Sequence, residues 1–150
     1  MQRTIFATMV AFSLLSVGIF YNNADDYYKK ANKLYTNGDK VKSIKFFTKS
    51  CNGNYALACT RLANIYEMGN IVTKDYEKAM QLYDKGCKQG DARGCWYLAS
   101  MYESGRGAKV DIEKALNLYN KACKNNISIA CDDIKELQKL NKNVKASVGR

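Results

Sequence analysis

The six cysteines of this 150-residue chain form three Cys-x7-Cys pairs, and each pair follows the previous one after 36 residues. A fixed spacing between equivalent residues is the sequence signature of a repeat architecture. The spacing therefore predicts stacked structural units of 36 residues. The pairs are Cys51 and Cys59, Cys87 and Cys95, and Cys123 and Cys131.

The sequence between the cysteines repeats at the same interval. Residues 59–69 read CTRLANIYEMG and residues 95–105 read CWYLASMYESG, while 75–87 (DYEKAMQLYDKGC) matches 111–123 (DIEKALNLYNKAC). In segments 59–69 and 95–105, Cys, Leu, Ala and Tyr occur at positions i, i+3, i+4 and i+7. This spacing places them on one apolar face of a helix. A glycine ends this helix A, and an aspartate suited to N-capping begins a helix B. Four repeated tyrosines should pack in the core with their hydroxyls at its rim: Tyr66, Tyr83, Tyr102 and Tyr119.

The units at the two ends of the chain depart from this pattern. The first has a shorter loop between its helices, and the last has a single helix with a polar outer face, which is how the ends of a repeat array are capped. The final residues are polar and basic, and we expect them to be frayed. The predicted organisation is an atypical unit at 25–54, complete units at 55–90 and 91–126, a capping helix at 127–140 and a basic tail at 141–150.

The N-terminus has the pattern of a secretory signal peptide. Arg3 provides a short positive segment, and residues 5–20 carry no charge, a stretch below the roughly 20 residues of a membrane span. We predict a signal at residues 1–18, with cleavage after Gly18 or as late as Ala24; an uncleaved anchor is the alternative. The expected protein is secreted or periplasmic and has no stable membrane span.

Composition limits the chemistry of the chain. The 24 Lys and Arg against 14 Asp and Glu give a net charge of +10, which favours acidic partners, anionic polymers or membrane surfaces. The lysines are spread along the sequence, so a basic charge that only aids solubility is the simpler interpretation, and nucleic acid is not an expected partner. The sequence contains no histidine, the commonest metal ligand and general base. We predict no metal and no cofactor.

The pattern A-x-x-x-L-A-x-x-Y-x-x-G followed by D-x-x-K-A-x-x-x-Y-x-K resembles Sel1-like repeats, which are related to TPR repeats. The added Cys-x7-Cys in every unit is similar to that of the exported Helicobacter cysteine-rich protein family. The resemblance covers about residues 25–140 and implies an all-α fold, a right-handed α/α solenoid of helix pairs clipped by disulfides. Because that family is commonly classed as β-lactamase, the resemblance also implies penicillin binding with weak β-lactam hydrolysis.

Each cysteine pair spans the turn between a helix B and the next helix A. Antiparallel helices joined by a short turn can bring such positions within the roughly 7 Å between Cα atoms that a disulfide needs. Reduced, buried cysteine is the alternative if the signal peptide is false, and zinc ligands normally lie only two to four residues apart. For an exported chain we predict the disulfides Cys51–Cys59, Cys87–Cys95 and Cys123–Cys131.

No catalytic residue can be assigned from the sequence. A serine β-lactamase needs Ser-x-x-Lys to set a base beside the nucleophile, and no serine here has a lysine three residues later. Lys-Thr-Gly, Ser-Asp-Asn and histidine are absent as well. Hydrolysis would therefore require a carboxylate that activates water, and whether the protein is an enzyme stays open.

A binding scaffold is the main functional prediction. Stacked helix pairs form an extended concave surface lined by the A helices, and we expect it to bind a protein or peptide. A β-lactam or a peptidoglycan-like small molecule is the alternative ligand. Aromatic and arginine residues are frequent anchors of interfaces, although Trp96 or Tyr97 could instead pack against a neighbouring helix. Candidate positions vary between units on the outer face of helix A: Thr60, Arg61 and Asn64, then Trp96, Tyr97 and Ser100.

Overall fold

The computed structural model describes residues 23–148, with side chains to residue 142. The predicted signal at residues 1–18 lies outside this range. Seven helices and no strand form the described part of the chain. The helices are α1 (residues 23–36), α2 (Lys40–Asn52), α3 (Ala56–Met68), α4 (Tyr76–Lys88), α5 (Ala92–Ser104), α6 (Ile112–Lys124) and α7 (Ser128–Val148).

The helix boundaries follow the predicted caps. Asp75 and Asp111 have extended backbones, and each side chain accepts a 2.9 Å hydrogen bond from an amide in the first turn of α4 or α6. Gly69 and Gly105 end α3 and α5 with φ of 67° and 70°, in the left-handed region that favours glycine. The predicted alternation is confirmed: α1, α3, α5 and α7 are A helices, and α2, α4 and α6 are B helices.

The C-terminal helix continues further than expected. We predicted a helix to residue 140 and a frayed tail at 141–150, whereas α7 extends to Val148. The glycine that ends α3 and α5 is replaced at the equivalent position by Asn141, and no glycine or proline lies between Ser128 and Gly149. Because nothing in this segment breaks helical hydrogen bonding, the helix continues through it.

Consecutive helices pack against one another along the chain, so the fold is an all-α solenoid of helix pairs. Its core forms three clusters at successive junctions between units. Tyr83 and Tyr119 of the B helices are 0% and 3% exposed, as predicted, while Tyr66 and Tyr102 of the A helices are only half-buried. Ala24, the later of the two expected cleavage positions, is buried in α1, and its carbonyl accepts a 2.6 Å hydrogen bond from Ser50.

All six cysteines are paired across the turns between units. The disulfides are those expected, with Cα–Cα distances of 4.7 Å for Cys51–Cys59, 4.6 Å for Cys87–Cys95 and 5.0 Å for Cys123–Cys131. Each joins the end of a B helix to the first turns of the next A helix, so neighbouring units are linked covalently as well as by packing. Within residues 23–148, no helix is both long and apolar enough to cross a membrane.

Candidate functional site

A pocket of about 120 Å³ lies on the face formed by the A helices. It extends across three of them, because its lining comes from α1, α3 and α5. The position is where a repeat array presents its extended binding surface. The lining residues are Tyr28, Leu57, Thr60, Arg61, Asn64, Arg93 and Tyr97.

The repeat itself positions the central side chains. Arg61 on α3 and Tyr97 on α5 are 36 residues apart, so they occupy the same position of successive units and lie side by side in the array. Leu57 and Arg93 form a second such pair one turn earlier. Asn64 follows Arg61 by three residues, which places both on one helix face. The pocket is therefore lined by residues at positions where successive units differ in sequence.

The lining of the pocket contains two arginines and no carboxylate, and only Arg93 contacts a described carboxylate from outside the lining. Arg61 is exposed and makes no hydrogen bond or ion pair with any described residue. Arg93 Nε lies 3.5 Å from Asp91 Oδ1, longer than the 2.7–2.9 Å of a strong charge-assisted hydrogen bond. The same Asp91 oxygen also accepts from the Arg93 backbone amide at 3.2 Å as the N-cap of α5. Arg61 and the Nη atoms of Arg93 thus remain able to bind an anion.

A chain of contacts between units holds the aromatic wall of the pocket. The rings of Tyr97 and Tyr83 stack with centroids 5.1 Å apart and planes 19° from parallel. The Tyr83 hydroxyl donates a 2.7 Å hydrogen bond to Glu67, and Glu67 also forms an ion pair with Arg106. Burial, followed by the hydrogen bond to Glu67, raises the pKa of Tyr83. This phenol therefore stays protonated and supports the position of Tyr97.

Thr60 lies at the base of the pocket, where α3, α4 and α5 approach closely. It is 6% exposed, and among the described residues its Oγ1 has no hydrogen-bond partner. A Cβ at Gly86 would lie 2.5 Å from this oxygen, and one at Gly94 would lie 2.9 Å from it. Glycines at these two positions therefore make room for the threonine hydroxyl.

Two predicted binding residues do not line this pocket. The Trp96 indole N–H donates a 2.6 Å hydrogen bond to Asp133 on α7, and its ring packs against the C-terminal core cluster. Ser100 accepts a 3.0 Å hydrogen bond from the Arg106 guanidinium. Trp96 thus follows the alternative of packing against a neighbouring helix, while Tyr97 both packs on Tyr83 and lines the pocket.

Sequence reasoning missed Tyr28, Leu57 and Arg93, which complete the pocket lining. Leu57 and Arg93 occupy equivalent positions of successive units, one turn before Arg61 and Tyr97. Variation between units, the signal that identified Arg61 and Tyr97, therefore also identifies this pair. Tyr28 belongs to the atypical first unit, which departs from the 36-residue spacing, so the comparison of the two complete units does not include it. Within residues 23–148, no group of three or more His, Cys, Asp or Glu side chains is arranged to hold a metal ion.

The chain matches the model of the Sel1 repeat at residues 31–55, 56–91 and 92–127. Among curated proteins it is 33% identical over 54 residues to two Helicobacter pylori proteins, each named "Putative beta-lactamase HcpD". That alignment covers 36% of this chain and 18% of each relative, so the chain spans less than a fifth of their length.

Solved structures show the same architecture. The crystal structure of a Sel1 repeat protein from Oxalobacter formigenes is 26% identical with a TM-score of 0.70, over 84% of this chain and 59% of that one. Helicobacter pylori cysteine rich protein B is 28% identical with a TM-score of 0.66, over 78% of this chain and 90% of that one. Each of the two structures matches more than three quarters of this chain, so the helical repeat scaffold is shared with known proteins.

Proposed function

Because the chain belongs to the Sel1 repeat family, we propose that it is an exported scaffold that binds a protein or peptide segment on its A-helix face. One observation carries the proposal: side chains that differ between units, from three successive A helices, converge on one pocket. Repeat proteins bind through surfaces of this kind, in which the repeated residues build the framework. Residues that differ between units can therefore determine which ligand the surface binds.

The size and chemistry of the pocket favour a segment of chain over a compact small molecule. Sites for drug-sized ligands usually have volumes of about 300–1,000 Å³, whereas this pocket has about 120 Å³. It can receive one side chain or chain end of a longer ligand that follows the groove. Tyr97 and Arg61 are of the residue types that most often carry binding energy in protein interfaces.

Export is supported by the cysteines. Three disulfides that involve every cysteine of the chain are typical of an oxidising compartment, since cytosolic thiols are kept reduced. We propose that residues 1–18 act as a cleaved signal and that the protein works in the periplasm or outside the cell. N-terminal sequencing of protein isolated from the extracytoplasmic fraction tests this, and an intact Met1 on a cytoplasmic protein would contradict it.

Hydrolysis of β-lactams is a second candidate, raised by the name of the two curated relatives. The residue evidence favours binding, since the sequence has no Ser-x-x-Lys, Lys-Thr-Gly or histidine. Any catalysis would require a carboxylate, and Glu67 on α3 and Glu103 on α5 are half-buried glutamates. We expect no nitrocefin turnover above background by purified protein. Turnover that disappears in Glu67→Gln or Glu103→Gln would support the enzyme instead.

Capture of the ligand tests the binding face. The native protein is immobilised and exposed to periplasmic and host-cell extracts beside Arg61→Ala, Tyr97→Ala and the control Lys139→Ala, which changes an exposed residue on α7. We expect the first two variants to lose the captured protein and the control to retain it. Crosslinks from the retained partner should map to α1, α3 and α5. Equal capture by all four proteins would show that the ligand binds elsewhere.

A further inference from the structure

We infer that the pocket across α1, α3 and α5 recognises a carboxylate, so that the ligand of the proposed scaffold is an acidic peptide segment. This inference rests on the proposed binding function and specifies its ligand class. The carboxylate could belong to an aspartate or glutamate side chain or to the C-terminus of the peptide, since the chemistry of the group is the same.

The first support is the state of the two arginines in the lining. Of the three arginines with described side chains, Arg106 is held by Glu67, whereas Arg61 has no hydrogen-bond or ion-pair partner within the described part of the chain. Arg93 is 54% exposed and has only a single 3.5 Å contact with Asp91. Guanidinium groups bind carboxylates through paired N–H donors. Arg61 can therefore turn towards a ligand without breaking an ion pair, and Arg93 can offer the N–H donors of its Nη atoms while its Nε stays near Asp91.

The second support is that Glu67, the half-buried carboxylate on the same helix as Arg61, is already engaged. It accepts the Tyr83 hydroxyl at 2.7 Å and pairs with Arg106, and its side chain is only 12% exposed. No Asp or Glu occurs in the pocket lining. Arg61 is thus not neutralised by any described carboxylate, Arg93 has only the 3.5 Å contact with Asp91, and the lining attracts an anion from solution.

The third support comes from helix ends and neutral donors. The N-cap residue of α3, Tyr55, makes no side-chain capping hydrogen bond, and the first turn of α3 has no acidic residue, in contrast to α4 and α6. Leu57 of that turn lines the pocket, so the partial positive charge of the helix N-terminus adds to the field there. Asn64 and Tyr97 supply an amide and a phenol that can donate hydrogen bonds to the same group.

Three synthetic hexapeptides test the inference by fluorescence anisotropy: hexaglutamate blocked at both ends, hexaglutamine blocked at both ends, and hexaglutamine with a free C-terminal carboxylate. We expect the native protein to bind at least one acidic probe and not the fully blocked hexaglutamine. Binding of blocked hexaglutamate assigns the pocket to side-chain carboxylates. Binding of only the free-ended peptide assigns it to a chain terminus.

Matched variants separate this pocket from the general positive charge of the protein. Arg61→Gln and Arg93→Gln should each weaken binding of the acidic probe about tenfold or more, since each removes a charge-assisted hydrogen bond. Lys139→Gln removes the same charge from α7 and should change the affinity by about twofold at most. Equal losses in all three variants would overturn the inference, because nonspecific attraction would then explain the binding.

The outcome is also distinguishable from failure of the proposed function. If no acidic probe binds while Tyr97→Ala still abolishes capture of the natural partner, the face binds a ligand but not through a carboxylate, and the inference is wrong. If neither the probes nor the extracts show any dependence on Arg61 or Tyr97, both proposals are wrong. Circular dichroism and a thermal unfolding curve for each variant show that the losses do not reflect unfolding.

Discussion

The Tyr83 hydroxyl donates a 2.7 Å hydrogen bond to Glu67 across the α3–α4 helix pair. The contact recurs 36 residues later, where Tyr119 donates to Glu103 at 2.6 Å. The two bonds differ in their surroundings, because Glu67 also pairs with Arg106 from the loop after α5. The first bond thus belongs to a network that joins α3, α4 and the loop after α5, and it supports the stacked Tyr97 ring, while the second connects one helix pair.

Replacing Tyr83 with phenylalanine tests the first bond. The substitution keeps the ring and removes the donor, which leaves one oxygen of a poorly exposed carboxylate without its partner. We expect the free energy of unfolding to fall by about 1–3 kcal/mol, measured by urea denaturation with disulfides intact. Tyr119→Phe should lose less, since Glu103 has no second partner among the residues that the structure describes. Identical stability of both variants and the native protein would show that the bonds make no net contribution.

Alkaline pH should destabilise the fold through the same tyrosines. Burial, followed by the bonded glutamate, raises the pKa of Tyr83 and of Tyr119 above the ordinary value of 10.0. Their contribution is therefore fully present below pH 10 and is lost as the pH rises towards the folded-state values, because the unfolded state releases these protons first. The slope should reach about 1.4 kcal/mol per pH unit for each tyrosine.

Denaturation curves between about pH 8 and pH 11.5 measure this slope, with the limits chosen to bracket the ordinary tyrosine pKa. The double variant Tyr83→Phe, Tyr119→Phe should be markedly less sensitive over the same range. If the stability of the double variant falls with pH as steeply as that of the native protein, other groups cause the loss of stability at alkaline pH.

The disulfide between Cys87 and Cys95 should stabilise the centre of the array. Both cysteines are buried, at 3% and 1% exposure, and their bond closes a loop of nine residues. Chain entropy alone predicts a contribution of about 2.6 kcal/mol for such a loop. We expect Cys87→Ala with Cys95→Ala to lower the free energy of unfolding by that order in guanidinium chloride. A double variant as stable as the native protein would mean that helix packing alone holds the turn.

Gly86→Ala should destabilise the protein, although alanine is normally the better helix former by about 1 kcal/mol. The new Cβ would lie 2.5 Å from Thr60 Oγ1 and 3.2 Å from the Ala56 carbonyl oxygen. We expect a net loss of about 1–3 kcal/mol from this overpacking, read from the thermal midpoint. Adding Thr60→Ala to this variant should recover part of the lost stability, because it removes the hydroxyl that the new Cβ approaches. The control is Ala122→Gly at the equivalent position of the next unit, which should lose about 1 kcal/mol by helix propensity.

Trp96→Phe should affect stability without affecting ligand capture. The substitution removes the 2.6 Å hydrogen bond to Asp133 on α7, so the C-terminal helix should unfold more easily, with a loss of about 1–2 kcal/mol. Hydrogen exchange should show faster opening of α7. Capture by the A-helix pocket should remain, since Trp96 is not part of its lining. Loss of capture without faster hydrogen exchange in α7 would show that Trp96 contributes to the binding surface.

Features that depend on local spacing were predictable. The aspartate caps, the glycine stops and the cysteine pairs each involve residues close together in the chain, and the repeat displays them more than once. The end of α7 was predicted wrongly because the last unit departs from the repeat at Asn141, and a rule taken from Gly69 and Gly105 no longer applied there.

By itself, the sequence determined the 36-residue period, the helix pairs and the cysteine partners, since backbone hydrogen bonding and loop closure act between near neighbours. Only the tertiary structure decided which variable side chains share a pocket. Tyr28, Arg61 and Tyr97 belong to three different helices, and their approach depends on how the units stack. The same stacking turned Trp96 towards Asp133, 37 residues away, because an indole N–H in a partly buried position requires an acceptor.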